Sequence, residues 1–192
     1  MPKIGMEPLR RAALIDATIT EIGLAGSLDI TVSQIARRAG VSSGLAHHYF
    51  GGKDQILLAA MRRIMADYAA EVRAGLKRSR TPRDRLEAIV SAGFSAPNFK
   101  PDTVSAWLNF YVHALSSAEA GRLHRAYTKR HRSNLRHALR PIAGSQADEL
   151  ANLAAALIDG LYLQYGLAKS LPAGAEATAI VMSAIEKNIS HN

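Results

Sequence analysis

The sequence has no cysteine, few aromatic residues and no long apolar run. Without cysteine, neither a disulfide framework nor a thiolate metal site can form among its 192 residues. No stretch of about 18 consecutive apolar residues is available to span a membrane. The N-terminus also lacks the apolar core of a secretory signal. These absences predict a cytoplasmic protein with no membrane partner.

The residues that are present favour helices. Alanine and leucine recur with a 3.6-residue spacing and β-branched runs are rare, which predicts an all-α fold. A chain of 192 residues is long enough for a small head and a larger body. We find no internal repeat and no low-complexity segment.

The chain carries a net charge of +8, which favours a polyanionic partner. Residues 1–60 hold six basic and five acidic residues, residues 61–85 hold eight and three, and residues 120–145 hold seven and none. The basic run from Arg122 to Arg140 is most simply a solvated helix face, with long-range attraction of DNA as the alternative. In the nearly neutral N-terminal part, phosphate contacts would depend on a local patch of Arg10, Arg11, Arg37, Arg38 and Lys53.

The most informative stretch runs from Thr31 to Lys53 and has the pattern of two short helices joined by a tight turn. One apolar stripe at helical spacing marks the first helix, namely Val32, Ile35, Ala36 and Ala39. Thr31 and Gln34 have the spacing of a capping box. Gly40 permits the turn, because glycine adopts the left-handed conformation without strain, and Ser42 is placed to cap the second helix.

The second short helix, roughly Ser43 to His48, has the properties of a recognition helix for a DNA major groove. It is too short to bury much surface, and it combines small residues with polar ones, namely Ser43, Gly44, Ala46, His47 and His48. Tyr49 and Lys53 follow it, where a phenol and an ammonium group can hold phosphates. A helical hairpin inside a larger all-α core is the alternative interpretation of the same pattern.

In its order and spacing this stretch resembles the TetR family of transcriptional repressors. In that family a helix-turn-helix motif is followed by a Tyr-Phe pair and by a lysine that opens a long helix, which Tyr49, Phe50 and Lys53 match. The resemblance implies a nine-helix fold. It places an arm and a three-helix DNA-binding head at residues 1–53, with the motif at 31–50, and a ligand-binding and dimerisation domain at residues 54–192.

We therefore predict two sets of DNA contacts. The residues expected to face bases are Ser43, Gly44, His47 and His48, and those expected to hold the DNA backbone are Thr31, Ser33, Tyr49 and Lys53. The chain departs from the family at two places, since many members have a tyrosine at the position of His47 and polar residues in place of Gly51 and Gly52. His47 is therefore the residue at which operator choice is expected to differ.

Caps and helix breakers place the remaining helices. After an arm in which Lys3 could reach DNA, the first helix is predicted from Pro8 to Leu24, and a long helix from Lys53 to Arg80 joins head and body. The later helices are predicted at 81–95, 101–115, 116–139 and 145–168, with a last helix to Ile189 after a loop at 171–174. Their predicted caps pair Thr81 with Asp84, Ser116 with Glu119 and Ser145 with Asp148, and Pro141 is predicted to break a helix.

The few aromatic residues are bunched. Trp107, Phe110 and Tyr111 occupy positions i, i+3 and i+4 of one predicted helix and share a face, with Phe99 before them and Tyr127 after. A cage of aromatic faces attracts a quaternary ammonium by about 0.5–2 kcal/mol per contact. These five residues are candidates for binding a cation, and a plain aromatic core is the alternative.

Asp159 is the one acidic residue in the otherwise apolar stretch 150–168. It can neutralise a cationic ligand, or it can bond a backbone donor or an arginine across an interface. The second interpretation is favoured, because an unpaired buried carboxylate is costly.

The last two predicted helices carry an association pattern. One leucine stripe consists of Leu150, Leu153, Leu157 and Leu161, and the final helix has two apolar faces, which include Val181 and Ile185. One face for the core and one for a second copy would give a four-helix dimer interface. Burial within one chain is the alternative.

A narrower resemblance covers nearly the whole chain. The segments MPKIGM, RRAALIDAT, QIARRAGVSSG, HYF, AMR, AWLNF and LIDGLYL are similar to those of the choline-responsive TetR repressors of the glycine betaine pathway. This resemblance implies a homodimer that binds double-stranded operator DNA, represses the genes for converting choline to glycine betaine, and is released by choline or a related small cation. A sensor of bulkier lipophilic cations is the alternative within the family.

Catalysis is not expected from this sequence. A helix splays the neighbouring His47 and His48 apart, and no Ser/His/Asp set or Gly-rich phosphate loop is present. We therefore predict a protein that is not an enzyme and that needs no cofactor and no metal. A helical ligand-binding module that does not meet DNA would also fit the nearly neutral N-terminal part.

Overall fold

The computed structural model describes residues 5–168 and 174–190 of the chain. The predicted DNA contact of Lys3 and most of the predicted loop at 171–174 lie outside the described residues. Within them the chain is all-α, as predicted, and forms nine α-helices and one short 3-10 turn. In chain order these are α1 (Met6–Ala25), α2 (Val32–Arg38), α3 (Ser43–Phe50), α4 (Lys53–Arg78), α5 (Pro82–Gly93), α6 (Pro101–Ser116), α7 (Ala118–Ala143), the 3-10 turn (Gly144–Gln146), α8 (Ala147–Leu167) and α9 (Gly174–Ser190).

The helix-turn-helix forms as the sequence predicts. The backbone N–H of Gln34 donates to Oγ1 of Thr31 at 3.1 Å, and the N–H of Thr31 donates to Oε1 of Gln34 at 2.6 Å, which completes the capping box. Gly40 takes a φ of +68°, in the left-handed region. Ser42 then caps α3 by accepting from the N–H of Leu45 at 3.2 Å.

Three helix termini differ from the predictions. α1 begins at Met6, two residues before Pro8. Ser117, not Ser116, caps α7 by accepting from the N–H of Ala120. Pro141 lies inside α7 rather than breaking it, because only Ile142 and Ala143 follow and the lost hydrogen bond affects the last turn alone.

The predicted cap of α8 was also wrong. Gln146 occupies the N-cap position without a side-chain hydrogen bond, and Ser145 belongs to the 3-10 turn before it. Asp148 pairs instead with Arg136 of α7 at 3.4 Å. By contrast, Thr81 and Asp84 form the predicted capping box at the start of α5.

Helix α4 connects the head to the body without interruption. Its buried face includes Ile56, Leu57, Ala60, Ile64, Tyr68 and Val72. Near its start, Gln55 and Arg62 donate to the Glu119 carboxylate of α7 at 3.0 and 3.2 Å. Because α4 is continuous, the boundary at residue 53 remains a prediction.

Helix α6 packs against the end of α1. The Nδ2 amide of Asn109 donates to the carbonyl oxygen of Gly26 at 3.2 Å, and the hydroxyl of Ser105 donates to that of Ile22 at 3.4 Å. The Gly26 carbonyl lies just past the C-terminus of α1, where helix carbonyls lack partners within their own helix, and the Ile22 carbonyl also accepts from the N–H of Gly26 at 2.9 Å. A body helix thus completes the hydrogen bonding of a head helix.

None of the described helices is long and apolar enough to cross a membrane.

Candidate functional site

The side chains predicted to contact DNA lie together at the head. Thr31, Ser33, Gly44, His47 and His48 are exposed. Ser43, Tyr49 and Lys53 are partly buried, and the Ser43 hydroxyl donates to that of Ser33 at 3.2 Å, which ties α3 to α2. α3 therefore presents a polar surface on a braced hairpin.

Ion pairs reduce the free charge of the head. Arg38 pairs with Glu21 at 2.5 Å, and Arg11 pairs with Glu7 at 2.9 Å. The Arg11 guanidinium also lies over two aromatic rings, 5.1 Å from that of Tyr49 and 5.2 Å from that of Phe50. Arg11 thus braces the Tyr-Phe pair against α1, a role that the sequence pattern did not indicate.

An aromatic cavity lies in the body, between helices α4 to α8. It encloses about 30 Å³. Four residues predicted to bind a ligand line it, namely Trp107, Tyr111, Tyr127 and Asp159. Its other lining residues were not predicted as ligand contacts, and they are Tyr68, Ile89, Gly93, Asn98, His131, Ile158 and Tyr162.

The rings around the cavity present faces at different angles. The ring centroid of Trp107 lies 4.8 Å from that of Tyr127 and 5.6 Å from that of Tyr111, with both pairs tilted. Tyr127 and His131 stack in parallel, with 3° between their planes and 5.9 Å between their centroids. Tilted rings of this kind offer a cation several π faces at once.

Asp159 supplies the negative charge of the cavity. Its Oδ1 accepts a hydrogen bond from the Tyr111 hydroxyl at 3.3 Å, a partner that the sequence did not predict, and the expected arginine across an interface stays a prediction. Burial raises the pKa of Asp159, and the Tyr111 hydrogen bond and the nearby His124 and Arg132 oppose this increase. No lysine or arginine is among the described residues that line the cavity.

His131 contributes a neutral imidazole to the opposite wall. Burial and, secondarily, the neighbouring Arg132 lower its pKa to about 4. The Tyr68 hydroxyl lies 2.9 Å from Nδ1 of His131 and 3.4 Å from the carbonyl oxygen of Ile89, within hydrogen-bond distance of both. Burial also raises the pKa of Tyr68, so this pair adds no charge at neutral pH. Asp159 is the one acidic side chain among the described residues that line the cavity.

Comparison with known proteins identifies the family. Residues 14–60 match the model of the tetR family of bacterial regulatory proteins, and residues 82–190 match that of the C-terminal domain of BetI-type transcriptional repressors. The chain belongs to the TetR family. It is a BetI-type DNA-binding transcriptional regulator and not an enzyme.

Individual relatives cover almost the whole chain. The transcriptional regulator BetI of Brucella anthropi is 50% identical over 182 residues, which make up 94% of each chain. BetI of Agrobacterium fabrum is 51% identical over 183 residues, covering 94% of this chain and 88% of that one. The crystal structure of a transcriptional regulator from Saccharomonospora viridis in complex with choline aligns with a TM-score of 0.83 at 25% identity, covering 93% of this chain and 96% of that one.

Two predicted ligand residues of this TetR-family chain lie outside the cavity. Phe99 packs against Phe94, Tyr162 and Tyr165, and Phe110 packs against Trp107 and His124. Both rings are buried without lining the cavity, so the structure does not bring them to it, and their contact with a ligand stays a prediction. They form a second layer of core behind the wall.

Four of the six residues predicted for dimerisation are buried within one chain. Leu150, Leu161, Val181 and Ile185 are at most 9% exposed, so they belong to the core and not to a surface for a second copy. Leu153 and Leu157 remain partly exposed. The exposed stripe of α8 instead follows Asn152, Ala156, Gly160, Leu163 and Leu167.

Proposed function

We propose that this regulator represses the genes that convert choline to glycine betaine and is released from its operator by choline. The observation that carries the proposal is the carboxylate of Asp159 beside three aromatic rings in a cavity without a lining lysine or arginine. Such a site favours a quaternary ammonium, because ring faces and a carboxylate both attract a cation that cannot donate a hydrogen bond. The BetI relatives and the choline complex support the proposal.

The size of the cavity favours a small cation over the bulkier lipophilic cations that other members of the family sense. At about 30 Å³, it accepts choline only if the walls move outward. The energy for this movement comes from the cation–π contacts and from the partial neutralisation of Asp159. A larger cation would require a correspondingly larger movement of a packed core.

Operator binding requires two copies of the head. Two α3 helices would enter successive major grooves about 34 Å apart on a nearly palindromic site. Ser43, Gly44, His47 and His48 would face bases, and the backbone contacts would come from Thr31, Ser33, Tyr49 and Lys53. The second copy would pack on Leu153 and Leu157 of α8, which remain partly exposed, and on Ile180 of α9, which is 41% exposed.

Helix α6 would connect the two functions. It contributes Trp107 and Tyr111 to the cavity, and Ser105 and Asn109 to the C-terminus of α1. If choline moves the wall formed by α6, the head moves with it. Choline shifts the equilibrium only to the extent that it binds the two geometries with different affinities.

The first test is a titration of the full chain with choline, followed by the fluorescence of Trp107, the single tryptophan. We expect a saturable change with choline and a weaker response to glycine betaine. We expect no response to 3,3-dimethylbutanol, the uncharged analogue of choline with a similar shape. An equal response to the uncharged analogue would contradict recognition of charge. No saturation at millimolar choline would overturn the inducer assignment.

The second test is a gel shift with DNA from upstream of the chain's own gene. We expect a sequence-specific complex that choline dissociates. A chain that binds choline but shifts no DNA would support the alternative, a ligand-binding module without a DNA partner. Dissociation by choline in the parent and not in Asp159→Asn would link the release to the cavity.

A further inference from the structure

A surface groove of about 500 Å³ lies outside the aromatic cavity, between α6, α7 and α8. The cavity and the groove share two lining residues, Tyr111 and Asp159. The Tyr111–Asp159 hydrogen bond therefore lies at the boundary between them. A ligand whose cationic end lies in the cavity would extend past this pair into the groove.

The groove also carries basic side chains. Arg125 and His124 line it together with apolar residues such as Leu115 and Leu163. His124 packs edge-on against Tyr111, with 5.4 Å between ring centroids, so the imidazole lies directly beside the boundary. The groove thus places His124 beside Tyr111, one of the two residues that it shares with the cavity.

The close packing of α7 on α6 brings Arg125 toward this groove. A Cβ atom at Gly121 would lie 3.1 Å from the carbonyl oxygen of Ala114 and 3.3 Å from Nη1 of Arg125. The absence of a side chain at Gly121 therefore leaves room for the guanidinium beside the end of α6. Arg125 forms no ion pair with the described residues, whereas Arg136 on the same helix pairs with Asp148.

We propose that cavity and groove form one site for O-phosphorylated choline, with the trimethylammonium group among Trp107, Tyr111, Tyr127 and Asp159 and the phosphate at Arg125 and His124. The proposal rests on the proposed function, because it uses the same cavity for the cation. It extends the ligand class from choline to choline phosphate esters. An Arg guanidinium binds phosphate through parallel charge-assisted hydrogen bonds, which suits this role.

The position of the anionic group separates this ligand from glycine betaine. In phosphocholine two carbons and an oxygen separate the ammonium nitrogen from the phosphorus, so the phosphate can pass the boundary and reach the groove. In glycine betaine a single carbon separates the nitrogen from the carboxyl carbon. Its carboxylate would remain among the aromatic rings beside Asp159, where like charges repel and no lining arginine or lysine compensates.

The test compares phosphocholine with choline in the Trp107 titration, on the full chain and on two variants. Arg125→Gln removes the proposed phosphate contact. Arg130→Gln removes the same charge from an exposed position of α7 that lines neither the cavity nor the groove, and is the matched control. We expect Arg125→Gln to weaken phosphocholine about tenfold and leave choline affinity unchanged, and Arg130→Gln to alter neither.

Each other outcome is decisive. If choline binds and phosphocholine does not, the extended site is overturned while the proposed function stands. If both variants weakened phosphocholine binding equally, the cause would be a general charge effect, and the extended site would also be overturned. If neither ligand binds, the proposed function fails together with this inference. Competition between the two ligands, measured by adding choline to the phosphocholine complex, supports a shared cation site, and independent binding contradicts it.

Discussion

The hydroxyl of Tyr111 in α6 donates a hydrogen bond to Oδ1 of Asp159 in α8, with 3.3 Å between the oxygens. This contact joins two helices at the mouth of the cavity and controls the charge available there. Burial raises the pKa of Asp159, while the hydrogen bond stabilises the ionised form and opposes the increase. Ligand affinity, protein stability and pH dependence therefore all depend on this pair.

Asp159→Asn is expected to weaken choline binding without destabilising the protein. A raised pKa means that ionised Asp159 is less favourable in the folded than in the unfolded chain, so at neutral pH its charge lowers stability. Asparagine removes the charge and can still accept the bond from Tyr111. Urea unfolding at pH 7 should give an equal or higher free energy of unfolding, and choline affinity should fall at least tenfold. A clear loss of stability would contradict this account.

Tyr111→Phe is expected to move the pH dependence of choline binding. The variant keeps the aromatic ring and loses the hydrogen bond that lowers the pKa of Asp159, so this pKa should rise further. Since the cation needs an ionised carboxylate, affinity is lost as the pH falls through the pKa, and this loss should begin at a higher pH in the variant. Choline titrations between about pH 8 and the ordinary aspartate pKa of about 3.9 measure the midpoint. Identical midpoints would exclude the role of the hydrogen bond.

His131→Gln is expected to reduce the sensitivity of the fold to acid. The folded pKa of His131 is about 4, below the unfolded value of about 6.5, so protonation favours the unfolded chain and stability is lost as the pH falls through this interval. The loss is on the order of 3 kcal/mol at 1.36 kcal/mol per pH unit. The free energies of unfolding of parent and variant, measured at pH 7, 5.5 and 4.5, should become more similar as the pH falls. His137→Gln, at an exposed position of the same helix, is the control.

Thr31→Ala and Thr81→Ala are expected to have equal effects on stability and different effects on DNA binding. Each threonine accepts from a backbone N–H at 3.1 Å in a capping box, and loss of such a cap costs about 1 kcal/mol. Thr31 lies in the head and Thr81 at the start of α5. Thermal unfolding should show similar shifts, and only Thr31→Ala should weaken the operator complex. If both variants weakened the operator complex equally, the cause would be the loss of stability and not the loss of a DNA contact.

Lys53→Ala and His47→Ala are expected to affect DNA binding in different ways. Loss of a phosphate contact at Lys53 should weaken all sequences alike and reduce the slope of log affinity against log salt by about one. Loss of a base contact at His47, whose Nδ1 lies 3.4 Å from the carbonyl oxygen of Gly51, should change the preferred sequence. Selection from randomised operators measures the preference. An unchanged preference in His47→Ala would refute its contact with bases.

Local sequence patterns predicted the head well. The caps at Thr31 and Ser42 and the turn at Gly40 depend on interactions within a few residues, which the sequence alone displays. It was harder to predict which of two adjacent serines caps a helix. Ser116 and Ser117 can both cap α7, and the choice depends on how the turn from α6 to α7 packs.

The cavity was only partly predictable, for a related reason. Helical spacing placed Trp107 and Tyr111 on one face, but Tyr68 and His131 reach the same cavity from helices far apart in sequence. Nothing in the local sequence marks them as cavity residues, since Tyr68 follows Asp67 and His131 lies between Arg130 and Arg132. Spacing also cannot separate a wall from the layer behind it, and Phe99 and Phe110 are buried outside the cavity lining. For α9, periodicity identified Val181 and Ile185 as apolar, but burial within the chain was visible only in three dimensions.

The two faces of α6 imply a reciprocal effect. If choline at the Trp107 face lowers affinity for the operator through Asn109 and Gly26, the operator must lower affinity for choline by the same factor. Choline would then fill the unbound regulator first and reach the DNA-bound copies last. A cell with many surplus copies would consequently need more choline to switch on the genes than one with few, so expression level sets the induction threshold.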